Sequence, residues 1–282
     1  MGKQLLFRTS RRDLVLGEGT LVMGILNATP DSFSDGGRFV AAQEAVEEGL
    51  RMVAEGADLL DVGGESTRPG ADPVSVAEEL QRVIPIIEAL AAKVTIPISI
   101  DTTKAAVARE AIAAGAEIIN DVSAMRLDPA MPEVAAASRA GLILMHMRGL
   151  PKTMQQGPLV YPSLIDDVID FLKERLQCAE TAGVERDRTM LDPGIGFGKT
   201  GVDNMRLLRH LDRFAVLGRP ILTGVSRKSF IGGVLGGAPQ QRLEGTAAAM
   251  VISIMNGSSI VRVHDVGIMK KVAAMTDAIL RA

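Results

Sequence analysis

Two short apolar runs in this chain stop abruptly at a carboxylate or an amide, and a helical pattern lies between them. Ile96-Pro97-Ile98-Ser99-Ile100 ends at Asp101, Glu117-Ile118-Ile119 ends at Asn120, and residues 105–115 carry the helical spacing. A strand covered by helices on both faces reads as a continuous apolar run. Strand, helix and strand in succession require a crossover connection, which makes the two strands parallel. Polar side chains at the C-terminal ends of such strands describe a parallel barrel that gathers its binding groups at one mouth.

Residues 21–27, 58–63, 96–101, 117–121, 142–146, 189–192, 220–224 and 259–263 all fit that strand description, and most close on Asn, Asp, Gly or His. Helical patterns separate them. Leu164, Val168, Leu172 and Leu176 recur four residues apart with charged residues between them, and 73–93 and 242–256 read the same way. Eight alternations predict an α/β fold, a (β/α)8 TIM barrel forming one domain over residues 1–282. Residues 5–18 precede the first barrel strand and are predicted to form a hairpin that caps the barrel bottom. Two loops carry more than a turn needs: 27–37, with Phe33 and Asp35, and 63–70, with Thr67 and Arg68.

Composition narrows the function classes. A formal net charge of -3 offers no general attraction to nucleic acid or an anionic membrane. Seven Phe, one Tyr and no Trp argue against stacking platforms for single-stranded nucleic acid. Cys178 is the only cysteine, so no internal disulfide forms, and its helical setting suits a half-buried structural thiol. Residues 1–13 lack the apolar core of a secretory signal, and no apolar run reaches membrane-spanning length. A cytoplasmic protein without nucleic-acid or membrane partners is the expectation.

Among the motifs, Gly194-Ile195-Gly196-Phe197-Gly198-Lys199-Thr200 imitates two phosphate loops and matches neither. Pro193 stands where a P-loop needs glycine, and Lys199 where a dinucleotide fingerprint needs its third. It reads as a loop lining a site, since Asp192 precedes it at a strand end. Singly, Asp101, Asn120 and Asp192 also fit helix caps or turn residues. Together at one mouth they form a polar fork suited to a flat heterocycle with several N–H groups. Ser226-Arg227-Lys228 follows the seventh barrel strand, and Arg262 and His264 end the eighth. Loops after those strands often bind phosphate, and an unpaired Arg262 inside an apolar strand would be costly. His146 reads as structural, His210 as solvated, and Met145 and Met147 as pocket wall or core. No zinc spacing and no Ser-His-Asp elbow is present.

These residues resemble the dihydropteroate synthase family. The matching stretches are 24–37 (GILNATPDSFSDGG), 61–70 (DVGGESTRPG), 99–104 (SIDTTK), 118–122 (IINDV), 144–149 (LMHMRG), 191–199 (LDPGIGFGK), 226–231 (SRKSFI) and 262–266 (RVHDV). Small departures such as Ala28 and Ser123 touch no residue assigned to chemistry. The resemblance implies an enzyme that joins a dihydropterin methyl diphosphate to 4-aminobenzoate. It implies a pterin pocket at Asp101, Asn120, Asp192 and Lys228, and a diphosphate site at Asn27, Thr67, Arg262 and His264. Mg2+ would be held through Asn27. The aminobenzoate pocket would comprise Phe33, Thr67, Pro69 and Ser226. Chemistry would fall to Asp35, Lys228, Arg262 and His264, in a homodimer. Two other readings stand beside it, a pterin-binding methyltransferase domain and a non-catalytic pterin-binding paralogue. The first has no need of the 226–228 and Arg262/His264 groups, and the second would be expected to lack Lys228, Arg262 or a loop motif, none of which is missing.

Overall fold

The computed structural model of the chain describes residues 4–28, 37–67, 70–150 and 152–282. It opens with an antiparallel hairpin, β1 (Leu5–Arg8) paired to β2 (Asp13–Leu16). The barrel strands follow: β3 (Leu21–Asn27), β4 (Leu59–Gly63), β5 (Ile98–Asp101), β6 (Ile118–Asp121), β7 (Gly141–Met145), β8 (Thr189–Asp192), β9 (Leu222–Thr223) and β10 (Ile260–Val263). They form one eight-stranded sheet in the order β8-β7-β6-β5-β4-β3-β10-β9, and every pairing is parallel. A parallel bridge from Leu191 to Ile221 joins the two end strands and closes the barrel.

The surrounding helices are α1 (Gly37–Ala54), α2 (Val76–Ala91), α3 (Ala105–Ala114), α4 (Met131–Ser138), α5 (Leu164–Thr181), α6 (Gly201–Arg209), α7 (Ser229–Leu235), α8 (Leu243–Met255) and α9 (Val266–Arg281). The predicted stripe Leu164, Val168, Leu172 and Leu176 is the buried face of α5. Helix starts follow their caps. The hydroxyl of Ser75 accepts from Glu78 N at 3.2 Å, so α2 begins at Val76 rather than at 73. Thr200 and Asp203 cap α6 reciprocally.

Two predicted strands start two residues later than expected, both at prolines. β5 begins at Ile98 and β9 at Leu222, where 96–101 and 220–224 were the expected spans. Pro97 and Pro220 still accept from Leu60 N (3.1 Å) and Leu191 N (3.0 Å), but a proline has no N–H to donate to the ladder.

The hairpin caps the barrel bottom, as expected. Phe7 and Leu16, both fully buried, plug a layer of inward side chains: Met23, Leu59, Ile118, Ile143, Met190, Leu222 and Ile260. Gly141 makes room for this plug, since a Cβ there would lie 2.6 Å from the Phe7 ring. Arginines fasten it. Arg188 donates to Thr9 O and Arg139 O, both at 2.6 Å, and Arg219 donates to Leu6 O at 2.8 Å. Arg12 pairs with the buried Glu117 at 2.5 Å.

Candidate active site

The fork predicted from strand ends assembles inside the upper barrel. Asp101 and Asn120 are register partners on β5 and β6. Asp61, two residues before the end of β4, reaches both their neighbours. Asn120 Nδ2 donates to Asp61 Oδ2 at 3.0 Å, and Arg262 Nε donates to the same oxygen at 2.6 Å. Arg262 Nη2 donates to Asp101 Oδ2 at 2.9 Å. Asp192 ends β8, and its Oδ1 accepts from Gly194 N at 2.7 Å. The next residue after Asn120 faces the other way: Asp121 accepts from Ser123 N and Met125 N and secures a turn containing two left-handed residues, Ala124 and Met125.

This floor has more carboxylates than its nearest cation can satisfy. Burial, and then the nearby Asp61, push Asp101 up to about 7, although Arg262 opposes the shift. Burial raises Asp192 to about 6 against the Gly194 N–H and the lysines Lys228 and Lys199. Asp61 Oδ1, Asp101 Oδ1 and Ser99 Oγ are buried without a hydrogen-bond partner among the described residues. A buried acceptor left unpaired costs roughly 1–3 kcal/mol, so three together favour a ligand that brings N–H donors.

Arg262 therefore reaches the base of the fork from the end of β10. Its side chain is one-fifth exposed. Two residues further on, Ser226 Oγ accepts from His264 N at 3.2 Å and lies 2.9 Å from its Nδ1. Ser226 thus joins His264. The intervening Arg227, at φ 59°, turns away to grip Asp265 with two donors at 3.1 and 2.6 Å. Asn27, Arg227, His264 and Asp265 line a cavity of about 1100 Å³ that runs outward between α1 and α9. Asp101, Asn120, Asp192 and Lys228 do not line it.

Lys228 precedes α7, and its ammonium lies 4.2 Å from the centre of the Phe197 ring. Thr67 is half-buried. Phe33, Asp35, Arg68 and Pro69 lie outside the described residues. At the root of the 64–67 loop, Lys104 pairs with Glu65 and with the fully buried Glu79 of α2, tying three elements together. Among the described residues, no group of three or more His, Cys, Asp or Glu could hold a metal ion.

The sequence profile of a family described as pterin binding enzyme matches residues 23–264. The chain is 49% identical to a dihydropteroate synthase of Synechocystis sp., over 94% of this chain and 92% of that one. It is 48% identical to the dihydropteroate synthase of Bacillus subtilis, over 93% and 90%. The Xanthomonas albilineans dihydropteroate synthase with 4-aminobenzoic acid superposes at a TM-score of 0.92 with 45% identity, covering 99% of this chain and all of the other. The chain belongs to the dihydropteroate synthase family.

Two residues at the site were not singled out from sequence. Asp61 lies in an apolar strand, the same signal that drew attention to Arg262, so it was findable. Lys199 stands out in the sequence only as the residue that spoils a glycine fingerprint. It is 2% exposed and buried beside His146, with Nζ 2.8 Å from His146 Nδ1. His146 is structural, as expected. It meets Phe171 edge-on at 4.8 Å, and burial, then Lys199, push it down to about 2. Met145 and Met147 pack with Val122, Met154 and Phe197 as a wall of core character.

Proposed function

We propose that this transferase condenses a 7,8-dihydropterin methyl diphosphate with 4-aminobenzoate, releasing diphosphate and 7,8-dihydropteroate. The observation that carries this reading is the buried fork of Asp61, Asp101, Asn120 and Asp192, with acceptor oxygens unpaired at the C-terminal mouth of the barrel. Paired acceptors hold the guanidine-like edge of a pterin in one orientation. Asp101, Asn120, Asp192 and Lys228 form its pocket, and Arg262 keeps the carboxylates from repelling each other before the pterin arrives.

The diphosphate lies toward Asn27, Thr67, Arg262 and His264. 4-Aminobenzoate lies against Phe33, Thr67, Pro69 and Ser226, and the Xanthomonas relative with 4-aminobenzoic acid supports such a pocket. The C–O bond between the pterin methylene and the diphosphate breaks first, its electron pair leaving on the diphosphate. The electron-rich dihydropterin spreads the resulting positive charge, and Asp35 stabilises it. Arg262, His264 and Lys228 hold the departing anion. The neutral arylamine then forms the C–N bond and passes its proton to solvent. Phe33 and Pro69 exclude water that would trap the cation.

The residues fit Mg2+ only as an ion that arrives with substrate oxygens. Asn27 offers one neutral amide oxygen, and among the described residues no group of three or more His, Cys, Asp or Glu could hold the ion. Bound there, the ion would supply neutralising charge to the leaving group.

A coupled assay for diphosphate release, run with and without 4-aminobenzoate, tests the reaction. Release that requires a pterin diphosphate and is accompanied by dihydropteroate supports it, and no product in either arm overturns it. For the order of bond changes, Asp35→Ala should lower turnover far more than pterin affinity. A methylene carbon isotope effect typical of a tight, associative transition state would sink the dissociative sequence. The homodimer is supported by exposed apolar side chains on α7, α8 and α9, including Leu235, Met255, Met275 and Ile279. Sedimentation giving a monomer at micromolar concentration would dispose of it. The absence of a helix able to cross a membrane among the described residues is compatible with the cytoplasmic setting.

A further inference from the structure

Residues 193–199 connect β8 to the cap of α6, and they fold around their own lysine. Lys199 Nζ donates to Gly194 O at 2.8 Å, to Phe197 O at 3.1 Å and to His146 O at 3.4 Å, and lies 2.8 Å from His146 Nδ1. Gly194, Gly196 and Gly198 take φ values of +70°, +87° and +66°, so every second residue is left-handed. That backbone path is open to glycine and strained for other residues, and it turns the Gly194 and Phe197 carbonyls toward the ammonium. The loop also lies directly on the end of β7, where a Cβ at Gly194 would come within 1.9 Å of His146 O.

A buried ammonium held only by carbonyls and an imidazole is unusual, because a buried charge ordinarily demands a carboxylate. Lys199 makes no ion pair among the described residues, yet it is more deeply buried than Lys228 or Arg262. Burial lowers it to about 7, and His146 beside it stays neutral and accepts. What it organises lies on the other side of the loop. Gly194 N donates to Asp192 Oδ1 at 2.7 Å and fixes the carboxylate at the end of β8. The Phe197 ring lies 4.2 Å from the Lys228 ammonium. Gly196 lies against the stem of Lys228, whose Cδ would be 3.1 Å from a Cβ there. Gly196 N is itself anchored to Asn204 Oδ1 at 2.7 Å.

We propose that Lys199 is a positioning residue for the pterin pocket: by gripping Gly194 O, Phe197 O and the His146 imidazole, it fixes the loop that orients Asp192 and seats Lys228. It touches no substrate and acts through those two side chains. The inference rests on the reading of Asp192 and Lys228 as pterin-binding groups.

The test is a double-mutant cycle read by calorimetry with a pterin that lacks diphosphate, on the full-length protein. Lys199→Met keeps the length and apolar stem and removes the donors. It should weaken pterin binding about tenfold, the scale of losing a group that orients a binding residue. In a Lys228→Ala background the same substitution should cost clearly less, since one of the two groups it positions is already gone. A structural role alone would lower the melting temperature and leave affinity in the folded protein unchanged. Unchanged affinity, or a loss that multiplies in full with that of Lys228→Ala, overturns the proposal.

His146 supplies a second handle should Lys199→Met not fold. His146→Leu removes the acceptor and should weaken pterin binding in the same direction, while His146→Asn, which keeps an acceptor near the Nδ1 position, should recover most of it. Equal affinity for both variants also overturns the proposal. If the wild-type protein binds no pterin, the reading of the pocket itself fails and takes this role with it. If the wild type binds and Lys199→Met binds equally, only the role of Lys199 is lost.

Discussion

Deep in the barrel, Leu59, Ile118, Met190 and Ile260 pack around Phe7 and Leu16. Two residues further along the same four strands stand Asp61, Asn120, Asp192 and Arg262. Strand side chains alternate with a period of two, so each pair points to the same interior, one member per layer. The lower layer is dry and closed by the hairpin. Joined by Asp101 of β5, the upper layer holds three acids, one guanidinium and unpaired acceptors. About 7 Å of strand therefore separates a region that maximises packing from one that accepts a desolvation penalty to keep acceptors ready for a ligand. The lower layer holds the strands still so that the upper one can be selective.

The two layers can be separated by mutation. Phe7→Ala should have the largest effect, destabilising the protein by roughly 3–5 kcal/mol because the plug leaves a cavity that the barrel cannot collapse around. Denaturant melts would show it, and pterin affinity of the folded protein should stay within about twofold. A parallel loss of affinity would mean that the layers are not independent.

Arg262→Ala comes next. Removing the guanidinium leaves Asp61 and Asp101 facing each other, so binding of a plain pterin and turnover with the diphosphate substrate should both fall, by about 3 kcal/mol. Were plain-pterin binding retained, Arg262 would belong to the anion end alone. Asp192→Asn should weaken pterin binding by about 2–3 kcal/mol, replacing an acceptor pair with one acceptor and one opposing donor, while the melting temperature holds. Calorimetry on the folded variant decides it, and unchanged affinity would remove Asp192 from the pocket.

His264→Ala should act more gently and only on the diphosphate substrate, with turnover reduced about tenfold and plain-pterin affinity intact. An equal loss of plain-pterin binding would erase the distinction drawn between His264 and Arg262.

A change of pH alone, without mutation, also probes the upper layer of the unliganded protein. Asp101 is raised to about 7 in the folded state, above the roughly 3.9 of an unfolded aspartate, so between those values the folded protein holds the extra proton. Its contribution to stability accordingly falls as pH rises from about 4 through about 7, by no more than about 1.4 kcal/mol per pH unit. Asp101→Asn should flatten that slope and gain on the wild type as pH rises from 5 to 8. Parallel stability profiles for the two proteins would show that Asp101 titrates as an ordinary surface acid.

Much of this was readable from the sequence alone. Continuous apolar runs closed by polar residues predict parallel strands and a common mouth, and Asp101, Asn120 and Asp192 were visible because each ends such a run. The hairpin at 5–18 and the amphipathic stripe of α5 follow from local pattern in the same way, since alternation and four-residue spacing are properties of neighbours in the chain. The tertiary structure decided which of these groups touch. Arg262 bonds to Asp61 across 201 positions of sequence, Lys199 meets His146 across 53, and Ser226 meets His264 across 38. Closing an eight-stranded sheet brings β4 and β10 to either side of β3, so inward side chains from distant segments converge on a volume only a few ångströms wide. In that low-dielectric space each charge takes the partner that geometry offers, and the strand-end pattern carries no record of the choice.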